Sequence, residues 1–172
     1  MTQTEEAVPR SLQLRFEAIE RSLPETRPLV SLKTVMDLLG CDEDRAKYLY
    51  ESPWLRFAFN LGDVSSKRME VRIYRGSLME YARRASVGDY SFVPSDKNEG
   101  LADVIRDCLP QGQCRLTAAG LHGLWGISST HLHDLISAGA MAIVPGQELK
   151  AKQSPLLVRS SVVEFLKSRR IT

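Results

Sequence analysis

Apolar residues recur along the chain with a helical step in two separate stretches. In the first, Leu12, Phe16, Ile19 and Leu23 follow one another at steps of four, three and four, after Pro9 and before Pro24. This predicts an amphipathic helix that starts near one proline and is stopped by the other. In the second, Leu101, Val104, Ile105, Cys108 and Leu109 repeat the stripe ahead of Pro110. Such stripes pack into a core or against another helix.

Each stripe precedes the same succession of signals. An apolar residue and a hydroxyl, Val30-Ser31 or Leu116-Thr117, suit the start of a short helix ending at Leu39 or Trp125. Gly40 or Gly126 then supplies the freedom of a tight turn, and Asp42 or Ser128 caps a second short helix, Glu43–Glu51 or Ser129–Ser137. Two short helices joined through a glycine turn make a helix-turn-helix. Apolar segments Trp54–Leu61 and Met141–Val144 follow, then polar loops Gly62–Glu70 and Pro145–Ser154, then returning strands Val71–Arg75 and Leu156–Arg159. These predict two β-hairpin wings. A closing helix, Ser77–Arg84 or Ser161–Arg169, has serine at its expected N-cap.

The recurrence is an internal repeat. Gly40 and Gly126 lie 86 residues apart, and at that offset Val30, Val35, Leu38, Leu39, Ala46 and Leu49 coincide with Leu116, Leu121, Leu124, Trp125, Leu132 and Leu135. Downstream the offset becomes 84, which places Ile73, Tyr74, Arg75 and Tyr81 on Leu157, Val158, Arg159 and Phe165. A two-residue change in a surface loop accounts for the shift. The expected fold is mainly α with small β-hairpin wings (α+β), a tandem duplicated winged helix-turn-helix with an accessory amphipathic helix before each copy. Residues 1–27 form a tail and the first accessory helix, 28–86 the first winged unit, 87–112 a linker with the second accessory helix, and 113–172 the second winged unit.

Composition narrows the function. The chain of 172 residues is 43% hydrophobic and 26% charged, which suits a globular protein. Its 23 basic and 21 acidic residues leave a net charge of +2, so any electrostatic footprint is local. The three cysteines, Cys41, Cys108 and Cys114, have no CxxC spacing and read as reduced thiols. The first ten residues lack the blocks of a signal peptide, and no apolar run approaches the roughly 20 residues of a membrane span. A cytoplasmic protein with no membrane partner is expected.

The chain resembles the winged helix-turn-helix of phage excisionases and the MerR-like DNA-binding domain. The resemblance rests on Leu116-Thr117, on Leu124-Trp125-Gly126-Ile127-Ser128, and on Arg159 through Phe165. Leu38-Leu39-Gly40-Cys41-Asp42 and Arg75 through Tyr81 repeat it. It implies double-stranded DNA as partner, with the second short helix in a major groove and the wing on the backbone or minor groove.

Candidate DNA-contacting residues follow. In the second unit they are Ser128, Ser129, Thr130, His131 and His133, small hydrogen-bonding side chains without the arginine of the common guanine contact. In the first they are Arg45, Lys47 and Tyr48, behind the three carboxylates of Asp42, Glu43 and Asp44. Lys67, Arg68 and Arg72 on the first wing and Lys150 and Lys152 on the second suit phosphate contact, and Lys167, Arg169 and Arg170 cluster near the end. His131 and His133 are two apart on a helix and face different ways, so no metal and no cofactor is expected. No GxSxG, HExxH or paired acidic motif points to an enzyme. The alternative is a protein-interaction adaptor in which one or both winged units no longer contact DNA, the acidic first unit being the candidate to dock a protein, and a homodimer is a further option.

Overall fold

Side-chain oxygens start the four helices of the two central pairs. The computed structural model describes residues 10–23, 27–89, 91, 98–112, 115–150 and 153–171, with side chains from residue 15 onward. Pro9, Pro24, Cys114, Lys152 and the side chain of Leu12 lie outside these. Among the described residues the chain is mixed α and β, with eight α-helices and a three-stranded antiparallel sheet. None of these helices is long and apolar enough to cross a membrane.

Helix α1 (Arg10–Ser22) leads into strand β1 (Leu29–Ser31) and the pair α2 (Leu32–Leu39) and α3 (Glu43–Glu51). Ser31 Oγ accepts from the Thr34 N–H at 3.1 Å to start α2, and Asp42 Oδ1 accepts from the Arg45 N–H at 2.8 Å to start α3. Gly40 turns the chain between them at φ +62°, a left-handed conformation that side chains resist. A 3₁₀ turn (Pro53–Leu55), strands β2 (Ala58–Asn60) and β3 (Val71–Tyr74) and helix α4 (Arg75–Ser86) complete this half.

The second half has α5 (Leu101–Asp107), the pair α6 (Ala118–Trp125) and α7 (Ser129–Ser137), and α8 (Arg159–Ser168). Its caps match: Thr117 Oγ1 accepts from Gly120 N–H at 3.2 Å, Gly126 turns at φ +63°, and Ser128 Oγ accepts from His131 N–H at 3.0 Å.

Three local expectations differ from the structure. Ser77 and Ser161 do not cap their helices, because α4 follows β3 without a loop and its cap position falls on Tyr74, while α8 starts after Val158. Ser77 Oγ instead donates to Tyr74 O at 2.8 Å, and Ser161 Oγ accepts from Ala142 N–H at 2.7 Å. Strand β1, at the residues read as the approach to α2, has no counterpart among the elements the sequence predicts. The strands of the second wing shrink to isolated antiparallel bridges, Thr117↔Leu156 and Ile143↔Leu157. Pro145 and Pro155 each remove a backbone donor there.

The sheet has the order β1-β3-β2, with Ser31 opposite Arg72 and Ala58 opposite Ile73. Alternation along strands sends neighbours to opposite faces. Val30, Ala58, Val71 and Ile73 pack on Ile19, Val35, Leu49 and Leu78 of the first half. Leu29, Phe57, Phe59 and Leu61 join Val104, Leu121, Trp125, Leu132 and Phe165 of the second. The sheet is thus a middle layer buried on both faces. The segment after α8 extends its edge: Asn60 N–H donates to Arg169 O and Ile171 N–H to Ala58 O, both at 2.8 Å. Segments 28–86 and 113–172 therefore share one sheet and one apolar interface.

Candidate nucleic-acid interface

The outer face of α7 begins with Ser129 and Thr130, both exposed, while Leu132, Leu135 and Ile136 hold its inner face in the core. His133, half-buried, lines with Ser129 and Thr130 a groove of about 610 Å³. Across the groove stand Ala118, Ala119 and His122 of α6 and the returning arm of the second wing at Gln153–Pro155. Two hydrogen bonds hold that arm on the first turn of α6: Ala119 N–H to Ser154 Oγ at 2.8 Å and Ala118 N–H to Pro155 O at 3.1 Å. Lys150 lines an adjoining concavity that shares Gln153, Ser154 and Pro155. Helix face, helix start and wing thus open on one concave surface.

Ser128 is an N-cap, so its hydroxyl is already engaged within the helix. His131 is turned away from the groove, with its Nε2 at 2.6 Å from Leu61 O at the base of the first wing. A carbonyl only accepts, so the ring nitrogen carries the proton and donates.

Arg72 departs furthest from the expected phosphate contact. It is 7% exposed, with Nε donating to Trp125 O at 3.1 Å and Nη2 to Gly126 O at 2.8 Å, beside Glu70 at 2.7 Å. It therefore caps the C-terminus of α6, where carbonyl groups lack helical partners. The guanidinium of Arg15 does the same for α2 through Leu39 O. Leu39 and Trp125 lie 86 residues apart, the offset of the expected repeat. The first half takes its arginine from its own leading helix, whereas the second, with Leu101 at the matching position, takes it from β3 of the first.

Lys67 and Arg68 are exposed on the loop between β2 and β3 and make no ion pair among the described residues. On α3 the exposed residues satisfy one another: the Arg45 guanidinium lies 5.1 Å from the centre of the Tyr48 ring, and Lys47 Nζ lies 3.8 Å from Glu51. Tyr48 is 53% exposed there. Of the terminal basic residues, Lys167 pairs with Glu164 at 3.0 Å, Arg169 donates to Gly62 O, and Arg170 stacks on Phe57 and reaches Asn98. Asp63 sits beside this joint, its carboxyl held below the usual range by hydrogen bonds from Ser65, aided by His131 and Arg169.

No family model, curated protein or solved structure matches the chain.

Three residues outside the expected set help to build this surface, Asn60, His122 and Ser154. The run Phe57-Ala58-Phe59 carries the one sequence signal for the shared sheet. Apolar side chains at consecutive strand positions mean burial on both faces, which also puts Arg72, one strand over, inside.

Proposed function

We propose that the chain is a DNA-binding protein of two tandem winged helix-turn-helix units, akin to phage excisionases and MerR-like domains, acting as a transcription regulator or a phage- or plasmid-type accessory factor. The bridges of the second half support the tandem reading. Thr117↔Leu156 stands at the repeat offsets from Ser31↔Arg72, and residues 116–117, 156–157 and 143 take the order of β1, β3 and β2. The unbonded thiols of Cys41 and Cys108 suit a reducing, cytoplasmic setting.

The observation that carries DNA binding is the outer face of α7, with Ser129, Thr130 and His133 opening on the same concave surface as the second wing. Small donors and acceptors on a helix suit base edges and phosphates in a major groove, and a lysine-bearing loop beside them suits the backbone. Fluorescence anisotropy of the full chain against genomic duplex fragments at two salt concentrations tests this. Selective binding that weakens with salt is expected, and Thr130→Ala with His133→Ala relaxes the selectivity. Binding no tighter than to random duplex at both salts refutes it.

The first unit supports a second reading, a protein partner. Its α3 presents Asp42, Glu43 and Asp44 at the start and a half-exposed Tyr48 further along. Retained DNA affinity in Tyr48→Ala together with loss of a protein captured by the wild type distinguishes this role.

A further inference from the structure

We propose that the DNA face is composite: the first wing's loop, residues 62–70, works beside α7 of the second unit, and α3 of its own unit takes no part. This rests on the DNA-binding reading above.

The base of the loop is fastened to the second unit at two successive carbonyls. His131, in the first turn of α7, holds Leu61 O at 2.6 Å, and the Arg169 guanidinium holds Gly62 O. Ser129 and Thr130, the exposed residues of that turn, immediately precede His131. The loop itself is braced. Asn60 Oδ1 accepts from both Gly62 N–H and Glu70 N–H at 3.0 Å, and Leu61 N–H donates to Glu70 O at 2.9 Å. Ser65 N–H donates to Asp63 Oδ1 and Arg68 N–H to Ser66 Oγ, both at 3.0 Å. A Cβ on Gly62 would lie 2.7 Å from Arg68 O, so only glycine lets the two arms approach this closely. Four residues reach at most roughly 13 Å when fully extended, and the turn at residues 63–66 keeps this loop shorter. A helix seated in a major groove about 12 Å wide has flanking phosphates roughly 6 Å from its axis, within the range of the long side chains of Lys67 and Arg68 on a loop fastened beside α7.

Charge separates the loop from α3. The loop's carboxylates are engaged locally, Glu70 with Arg72 at 2.7 Å and Asp63 with Ser65, while Lys67 and Arg68 are exposed without an ion pair among the described residues. On α3 the cations are engaged with Tyr48 and Glu51, and three carboxylates crowd the end where a phosphate would bind. Duplex DNA is therefore complementary to α7 with the first wing and not to α3.

The test uses the full chain and a fluorescein-labelled mixed-sequence duplex of about 30 bp, three helical turns, titrated by anisotropy over a salt series. Lys67→Gln/Arg68→Gln is expected to reduce the slope of log K against log salt by about 1.8 and to weaken low-salt binding about tenfold. Arg45→Gln/Lys47→Gln leaves both unchanged. All four side chains are exposed, so the melting temperatures should match the wild type. If the wild type binds and the wing variant keeps its slope, or the α3 variant loses as much, the composite face is wrong and the DNA reading stands. A wild type without salt-dependent binding overturns both.

Discussion

Replacing Arg72 separates a structural role from a phosphate contact. Among the described residues it is the buried charge, with four bonds to lose: Trp125 O at 3.1 Å, Gly126 O at 2.8 Å, Val71 O at 3.1 Å and Glu70 Oε1 at 2.7 Å. In Arg72→Met the stem volume is kept and these bonds vanish. Trp125 is fully buried, so its carbonyl, left without the guanidinium, costs about 1–3 kcal/mol. Gly126 is exposed and the Glu70 side chain is 40% exposed, so both rehydrate at little cost. Relief of the arginine's own desolvation offsets part of the loss. The net expectation is about 2 kcal/mol for Arg72→Met, rising to about 3–5 kcal/mol for Arg72→Ala, which also opens a cavity. Arg72→Lys falls between, because a single ammonium cannot span two carbonyls as the guanidinium fork does. Urea unfolding followed by circular dichroism and tryptophan emission measures all three, since Trp54 reports on the first half and Trp125 on the joint. A single coincident transition is expected in the wild type, given the shared sheet. A loss below about 0.5 kcal/mol in Arg72→Ala, with DNA affinity falling instead, would refute the structural role and return Arg72 to the phosphate contacts.

Two glycines three residues apart, Gly123 inside α6 and Gly126 just past its end, should respond with opposite sign. Gly126→Ala puts a side chain at φ +63° and destabilises by about 1–2 kcal/mol, whereas Gly123→Ala, inside the helix with nothing near the added Cβ, stabilises by about 0.5–1 kcal/mol; melting curves that move the same way refute the assignment of the turn. Burial, and then the hydrogen bond to Asp107 Oδ2 at 2.6 Å, push the Tyr74 phenol above its ordinary 10. The folded state therefore keeps a proton that the unfolded state releases, and this stabilisation is full below pH 10 and lost as pH rises further. Tyr74→Phe should cost about 0.5–1.5 kcal/mol at neutral pH and flatten the alkaline fall. Cys108 and Tyr50, also raised by burial, titrate in the same sense in both proteins, so only the difference between the two curves counts, and parallel curves from pH 8 to 11 would exclude the Tyr74 contribution.

What the sequence determined by itself is the set of features whose causes lie within four residues of one another. Ser31, Asp42, Thr117 and Ser128 cap helices because a side-chain oxygen reaches an N–H three residues on, and Gly40 and Gly126 take a left-handed turn that other residues resist. The bounds of α3 and α7 follow from those local rules. Tertiary structure decided the rest. Strand β1 exists because β3 pairs with it, and Ser77 and Ser161 lose their cap positions because the helices start early, α4 directly after β3 and α8 just after the bridged residues Leu156 and Leu157. Lys67, Arg68 and Arg72 look alike in sequence, yet two are exposed on a loop and one is sealed against Trp125. His131 and His133, two residues apart, face the first wing and the groove respectively. The contacts of Arg72, His131 and Arg169 join residues 53, 70 and 107 positions apart, and β1 pairs with β3 across 41 to 45. Periodicity records which face of an element is apolar; which neighbour covers that face is settled only when the two halves close over their shared sheet.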